Sequence, residues 1–175
     1  PFRGWKNLYK SIPSIESGPP TTGNYFASTD SDSIKRVIQY IDENRPEIKN
    51  VILDDYQYTM AEEYMAKALN SGFEKFNKLA KRAYDVLNAG INMRDEVNFI
   101  VMTHLEAIEN AFETTYKMKT IGKMLDNKVT LEGLFTIVLY ATQTYDEKEK
   151  KTEKFFVTNF DGQYPAKSPV GMFEE

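Results

Sequence analysis

An α/β fold is what this sequence predicts: a mainly parallel central sheet flanked by helices, followed by a C-terminal antiparallel hairpin. Three observations carry that expectation. Two short runs, Val51-Ile52-Leu53 and Phe99-Ile100-Val101-Met102, are apolar at every position, as suits strands buried on both faces of a parallel sheet. The stretches before and between them return apolar residues at three- and four-residue steps, which is helical spacing. Finally, 134–140 and 153–160 read as strands on either side of a charged connection, the pattern of an antiparallel hairpin. Helix, strand, helix, strand and hairpin, in that order, make an α/β arrangement.

Taken in order, residues 1–28 hold four of the seven prolines, with Ser17-Gly18-Pro19-Pro20 the densest cluster, and read as an irregular arm or surface loop. The segment Thr29-Asp30-Ser31-Asp32-Ser33 offers several N-cap residues, and Ile34, Val37, Ile38 and Ile41 follow on one helical face. That helix should stop before Pro46, whose ring disfavours helical backbone in the residue ahead of it. The first strand spans 50–55. Helical spacing then runs from Met60 to Ala89 with a break at Ser71-Gly72; Phe76, Leu79, Ala83, Val86 and Leu87 form the buried face, and Glu74, Lys75, Lys78, Lys81 and Arg82 lie mostly outside. The second strand covers 98–103. Residues 134–140 and 153–160 complete the hairpin around the charged loop 145–151.

Composition limits the functions. A chain of 175 residues is long enough to bury a core and is expected to form one domain over 1–175. With no cysteine, disulfides, thiolate zinc sites and cysteine nucleophiles are excluded. A single histidine, His104, excludes histidine-rich metal clusters and leaves no supported Ser-His-Asp triad. No apolar run approaches the length of a membrane span, and no apolar block marks a secretory signal. The net charge of −4 argues against a surface that coats nucleic acid wholesale, but leaves room for a local basic patch.

Two strand ends stand out chemically. Asp54 and Asp55 fall where the first strand finishes, and ligands of parallel sheets bind beyond the carboxyl ends of the strands. Such a pair can hold magnesium through its waters. Thr103 and His104 end the second strand. Parallel strands joined by a right-handed crossover share a rim, so His104 could sense a γ-phosphate or an attacking water there. The plainer alternative is a strand end with ordinary solvated acids and a structural loop histidine. Further on, Lys117, Lys119, Lys123 and Lys128 alternate with apolar residues in a segment expected to be irregular. They could contact a phosphate backbone, with Tyr116 for base stacking, or simply solvate a connection. Lys167, in a turn bounded by Pro169 and Gly171, could reach a nucleotide on a neighbouring subunit or seal the end of the sheet.

Over most of its length the chain resembles the phage nucleotide-binding proteins, RecA-like ATPases encoded beside phage recombination and single-strand-annealing genes. The resemblance rests on Arg45-Pro46-Glu47-Ile48-Lys49 leading into Val51-Ile52-Leu53-Asp54-Asp55-Tyr56-Gln57-Tyr58. It continues through Met93-Arg94-Asp95, Thr103-His104, the run Lys117 to Asp126, Thr130-Leu131-Glu132-Gly133, Ala166-Lys167-Ser168-Pro169 and Gly171-Met172-Phe173. It implies a RecA-like P-loop NTPase core that binds ATP and Mg2+ and acts on single-stranded DNA as a homo-oligomer, with phage recombination proteins as further partners, in the cytoplasm of a bacterial host. Asp54 matches the Walker B acid that holds the metal, with Asp55 as its support or a water-polarising group. His104 matches the nucleotide sensor, with Thr103 beside it. Lys119, Lys123 and Lys167 match phosphate or DNA contacts across a subunit interface.

One departure from the family is serious. No Gly-x-x-x-x-Gly-Lys-Ser/Thr occurs in this sequence, so the loop that cradles the phosphates is expected upstream of Pro1, together with the first core strand. On that reading the chain is the later part of the core and does not hydrolyse ATP as it stands. A non-enzymatic DNA-binding or oligomer-forming interaction module is the alternative.

Overall fold

The computed structural model describes residues 23–69, 74–121 and 129–173, without the side chain of Lys75. Residues 1–22 of the arm expected over 1–28, the break at Ser71-Gly72 and both Lys123 and Lys128 lie outside the described residues. The protein is a small α/β structure with three α-helices among these residues. It divides into two compact units, one through Val101 and one from Met102. No helix among the described residues is long and apolar enough to cross a membrane.

The first unit begins with α1, Ser31–Asn44. Asp30 is its N-cap, accepting the Ser33 amide at 2.8 Å, which satisfies one of the orphan donors that every helix start exposes. Ile34, Val37, Ile38 and Ile41 are buried together, as the spacing predicts. Strand β1, Asn50–Leu53, follows, then α2, Gln57–Ala66, and α3, Glu74–Ile91. Strand β2, Asn98–Val101, closes the unit by pairing parallel with β1, Asn50 opposite Asn98 through Leu53 opposite Val101. Leu79, Ala83, Val86 and Leu87 of α3 are buried, again as the spacing predicts.

Arg82 is the exception on α3. Instead of lying outside, it donates to Asp30 at 2.9 Å, Asp32 at 2.8 Å and Glu63 at 2.8 Å, tying the start of α1 and the middle of α2 to α3. Burial alone would lower the Arg82 pKa, but the carboxylates of Glu63, Asp32 and Asp30 outweigh it and raise the pKa.

Arg94 links the two strands. The last carbonyls of any helix lack partners within the helix, and α1 has no basic residue in its final turn. The Arg94 guanidinium supplies the donors, reaching the carbonyls of Ile41 at 3.2 Å, Asp42 at 2.9 Å, Arg45 at 2.9 Å and Ile48 at 2.6 Å. Its own amide donates to the Asp42 carboxylate at 2.8 Å. The loop entering β2 thereby grips the loop entering β1, and the Asn98 amide meets the Lys49 carbonyl at 2.8 Å to begin the ladder.

Burial on the pair follows one face. Val51, Leu53, Phe99 and Val101 are half-buried, and Gly90 of α3 lies so close to Phe99 that a Cβ there would sit 2.2 Å from the ring. Ile52 and Ile100, opposite each other, are 59% and 43% exposed.

The second unit is built from two hairpins and connecting segments. Strands β3, Leu105–Glu109, and β4, Thr114–Met118, pair antiparallel. A 3-10 turn, Leu131–Leu134, buries Leu131 and lets Glu132 accept the Met118 amide at 2.6 Å. Asp161 accepts the amides of Gln163 and Tyr164 at 2.9 and 2.8 Å. That turn brings Tyr164 onto Tyr116, ring centroids 4.6 Å apart and 8° from parallel, with Tyr140 tilted against Tyr164 at 5.3 Å. Burial and the Glu132 carboxylate push the Tyr140 phenol up to about 12. Strands β5, Tyr140–Asp146, and β6, Lys151–Val157, form the C-terminal antiparallel hairpin.

Several expectations change. A mainly parallel central sheet is not formed among the described residues: there is one parallel pair and two antiparallel pairs. The apolar runs of β1 and β2 are covered on one face rather than two, because continuous hydrophobicity records only that a strand tolerates burial, not what lies over it. Both strands stop short, at Leu53 and Val101. The strand expected over 134–140 begins only at Tyr140; ahead of it Val138 makes an isolated bridge to Lys167. The hairpin register runs from Tyr140 opposite Val157 to Asp146 opposite Lys151, the one pair of opposite charges in it; the second strand therefore spans 151–157 rather than 153–160.

Two outcomes test this packing. Gly90→Ala should destabilise, since the helical preference for Ala is worth about 1 kcal/mol while overpacking a filled site costs about 1–3 kcal/mol; urea unfolding should show a net loss, partly recovered in Gly90→Ala/Phe99→Leu. Arg94→Ala should cost about 3 kcal/mol, because several carbonyls lose charged donors at once; an unfolding midpoint unchanged from the parent would contradict the role given to Arg94.

Candidate functional site

Directly beyond β1, the chain turns through Asp54 and Asp55 into α2. Asp55 has φ 54°, the left-handed region that L residues avoid and that Asp tolerates better than most. Its carbonyl accepts the Tyr58 amide at 2.9 Å, and its carboxylate accepts from the Gln57 amide side chain at 3.4 Å. Tyr56 is fully buried and fixes the turn from below. Its phenol oxygen is buried with no hydrogen-bond partner, and burial raises its pKa. Its carbonyl accepts the Thr59 hydroxyl at 2.8 Å. The buried Tyr56, Gln57, Thr59 and Met60 thus anchor a turn whose two acids, Asp54 and Asp55, are exposed.

The parallel register sets Leu53 beside Val101, so the acids emerge at the carboxyl edge of a parallel pair. Their chemistry fits magnesium, which takes one or two carboxylates from protein and fills its shell with water and phosphate. No cluster of three or more metal-ligating side chains occurs among the described residues. None of the nine glycines begins a Gly-x-x-x-x-Gly-Lys-Ser/Thr sequence.

The other expected residues lie in the second unit. Thr103 is half-buried and His104 exposed. The His104 carbonyl accepts the Lys119 amide at 2.9 Å, placing both residues at the base of the β3–β4 hairpin. Lys117 and Met118 belong to strand β4, so the lysine-bearing segment is regular at its start rather than irregular. The Lys117 ammonium pairs with Glu106, its cross-strand neighbour, at 3.6 Å. Tyr116 has one ring face taken by Tyr164. The Lys167 backbone is bridged to Val138, and its Nζ lies 3.5 Å from the Gly133 carbonyl; that supports the sheet-sealing alternative.

Elsewhere in the first unit, an open groove of about 580 Å3 runs between α1 and α3. Of its three lining acids, Asp42 and Asp85 are paired with Arg94 and Lys81, and the third is Glu43. Sequence reasoning missed Arg94 and Arg82 as organisers, although Arg94 stands in a segment that carried the resemblance. Long-range contacts of a single side chain leave no periodic signal.

No protein-family model matches this chain, and neither a curated protein nor a solved structure shows significant similarity to it. The geometry of the turn therefore carries the functional argument.

The left-handed backbone at Asp55 yields a separable test. Asp55→Gly should be neutral or stabilising by up to about 1 kcal/mol, since glycine removes the left-handed penalty. Asp55→Ile should lose more than about 1 kcal/mol; equal stabilities for the two variants in urea would show the turn to be unstrained.

Proposed function

We propose that the β1 edge is the metal-holding part of a magnesium-nucleotide site, in a RecA-like protein of phage DNA recombination that uses Mg-ATP. The observation that supports this reading best is the parallel β1–β2 register, which sets Asp54 and Asp55 just beyond the carboxyl end of β1. Open α/β sheets bind ligands at that edge, and P-loop NTPases place an acid there for magnesium.

Asp54 holds the metal through its waters, and Asp55 supports it or polarises a water. Magnesium, when bound, neutralises charge on the phosphates. A second reading, binding of single-stranded DNA without nucleotide, has its own support in an open, lysine-bearing aromatic face of the β5–β6 hairpin.

Asp54→Ala should lower magnesium-dependent ATP turnover on the order of 100-fold, corresponding to the few kcal/mol a metal ion contributes to such charge stabilisation. Turnover equal to the parent would overturn the assignment of Asp54.

A further inference from the structure

Strand side chains alternate between faces, so the β5–β6 register sorts the hairpin into two surfaces. One carries Tyr140, Thr142, Thr144 and Asp146 beside Val157, Phe155, Glu153 and Lys151. This surface anchors the hairpin at one end, through buried Tyr140 and half-buried Thr142 and Val157, while Phe155 is 48% exposed. It also holds both strand-borne acids, and Glu153 is paired with Lys151 at 3.3 Å.

The other surface carries Ala141, Gln143 and Tyr145 beside Phe156, Lys154 and Thr152. All six are exposed, with Tyr145 at 59% and Phe156 at 62%. It bears a cation and no carboxylate. The tip, Glu147-Lys148-Glu149-Lys150, is neutral in sum.

Isolated exposed aromatics need no explanation. Two on one open strand face, with a lysine and an amide between them and every strand acid on the reverse, form a pattern with a chemistry. Tyr145 and Phe156 sit in cross-strand pairs four positions apart, a separation of about 14 Å at strand rise. Lys154 and Gln143, directly opposite each other, lie between them. Flat rings that accept a base by stacking, with a cation between them for the backbone, are the elements of a single-strand platform. A neutral sugar would leave Lys154 without a counter-charge. A protein strand would pair with the hairpin edge rather than use this face.

We propose that the Tyr145–Lys154–Phe156 face of the β5–β6 hairpin binds single-stranded nucleic acid, the bases stacking on the two rings and a phosphate pairing with Lys154. The assignment rests on the DNA-binding half of the function proposed above and is independent of its nucleotide half. It moves the contact away from Lys117 and Tyr116, which are engaged with Glu106 and Tyr164.

The test is fluorescence anisotropy of a labelled oligothymidylate with the full-length protein, without nucleotide and with Mg-ATP, across a salt series. Tyr145→Ala and Phe156→Ala should each weaken binding about tenfold, within the range that stacking contributes. Lys154→Ala should flatten the salt dependence by about 0.7 in logarithmic slope. Glu153→Gln, on the reverse face, should bind like the parent. Unfolding midpoints of the variants should match the parent, since these side chains are exposed.

Parent-like binding by both ring variants overturns the proposal while leaving DNA binding intact; a loss confined to Lys117→Ala or Lys119→Ala then returns the contact to β4. Absence of any oligothymidylate binding by the parent also overturns it, and leaves the Asp54 turnover result to decide the nucleotide half alone. A ring variant that changes only the elution volume on a sizing column makes the face a contact between copies instead, again overturning the proposal.

Discussion

The guanidinium of Arg94 gathers four carbonyl groups, from Ile41 and Asp42 at the end of α1 and from Arg45 and Ile48 in the turn before β1. A helix end carries a partial negative charge and unpartnered acceptors, so a planar cation with several donors satisfies both needs at once. Arg94 also stands just ahead of β2. That side chain joins the approaches to both strands, and the Asn98 contacts with Lys49 and Asn50 continue the register into the four-residue parallel ladder. Everything at the carboxyl edge, the two acids included, depends on that register.

The first unit shows two solutions to holding helices around a small sheet. Apolar faces supply the bulk: α1 and α3 bury residues at helical spacing, and Gly90 lets α3 approach the Phe99 ring closely. Arginines supply direction. Arg82 bridges Asp30, Asp32 and Glu63, so the start of α1 and the middle of α2 are referred to the same point on α3. In the second unit the corresponding task falls to aromatic stacking, with the Asp161 turn delivering Tyr164 between Tyr116 and Tyr140.

Chemistry sits where this scaffold leaves groups exposed. At the β1 edge, buried Tyr56, Thr59 and Met60 hold a turn whose acids face outward, one of them in a left-handed conformation. Such a combination of rigid support and exposed polar groups suits a binding edge. On the β5–β6 hairpin, register alone separates an anchoring, acid-bearing surface from an open one with two rings and a lysine. The two features lie in different units and are argued from different physics, coordination in one case and stacking in the other.

Sequence alone determined the local elements and their faces. Ile34, Val37, Ile38 and Ile41, a cap within 29–33, the stop before Pro46 and the α3 face were legible, because each depends on residues within a turn or two of one another; a C-terminal hairpin was legible too, but not the bounds of its strands, which fall at 140–146 and 151–157. The adjacency of Asp54 and Asp55 to a strand end was legible for the same reason. Tertiary structure decided the rest. Which face of Val51-Ile52-Leu53 is covered depends on α3 lying over one side only. The role of Arg94 depends on carbonyls some 46 to 53 positions away in the chain. The grouping of Tyr145, Lys154 and Phe156 depends on a hairpin register, and a shift of one residue would have sent those side chains to opposite faces. Short-range patterns record what a segment can do; only contacts distant in sequence determine which of those possibilities is used.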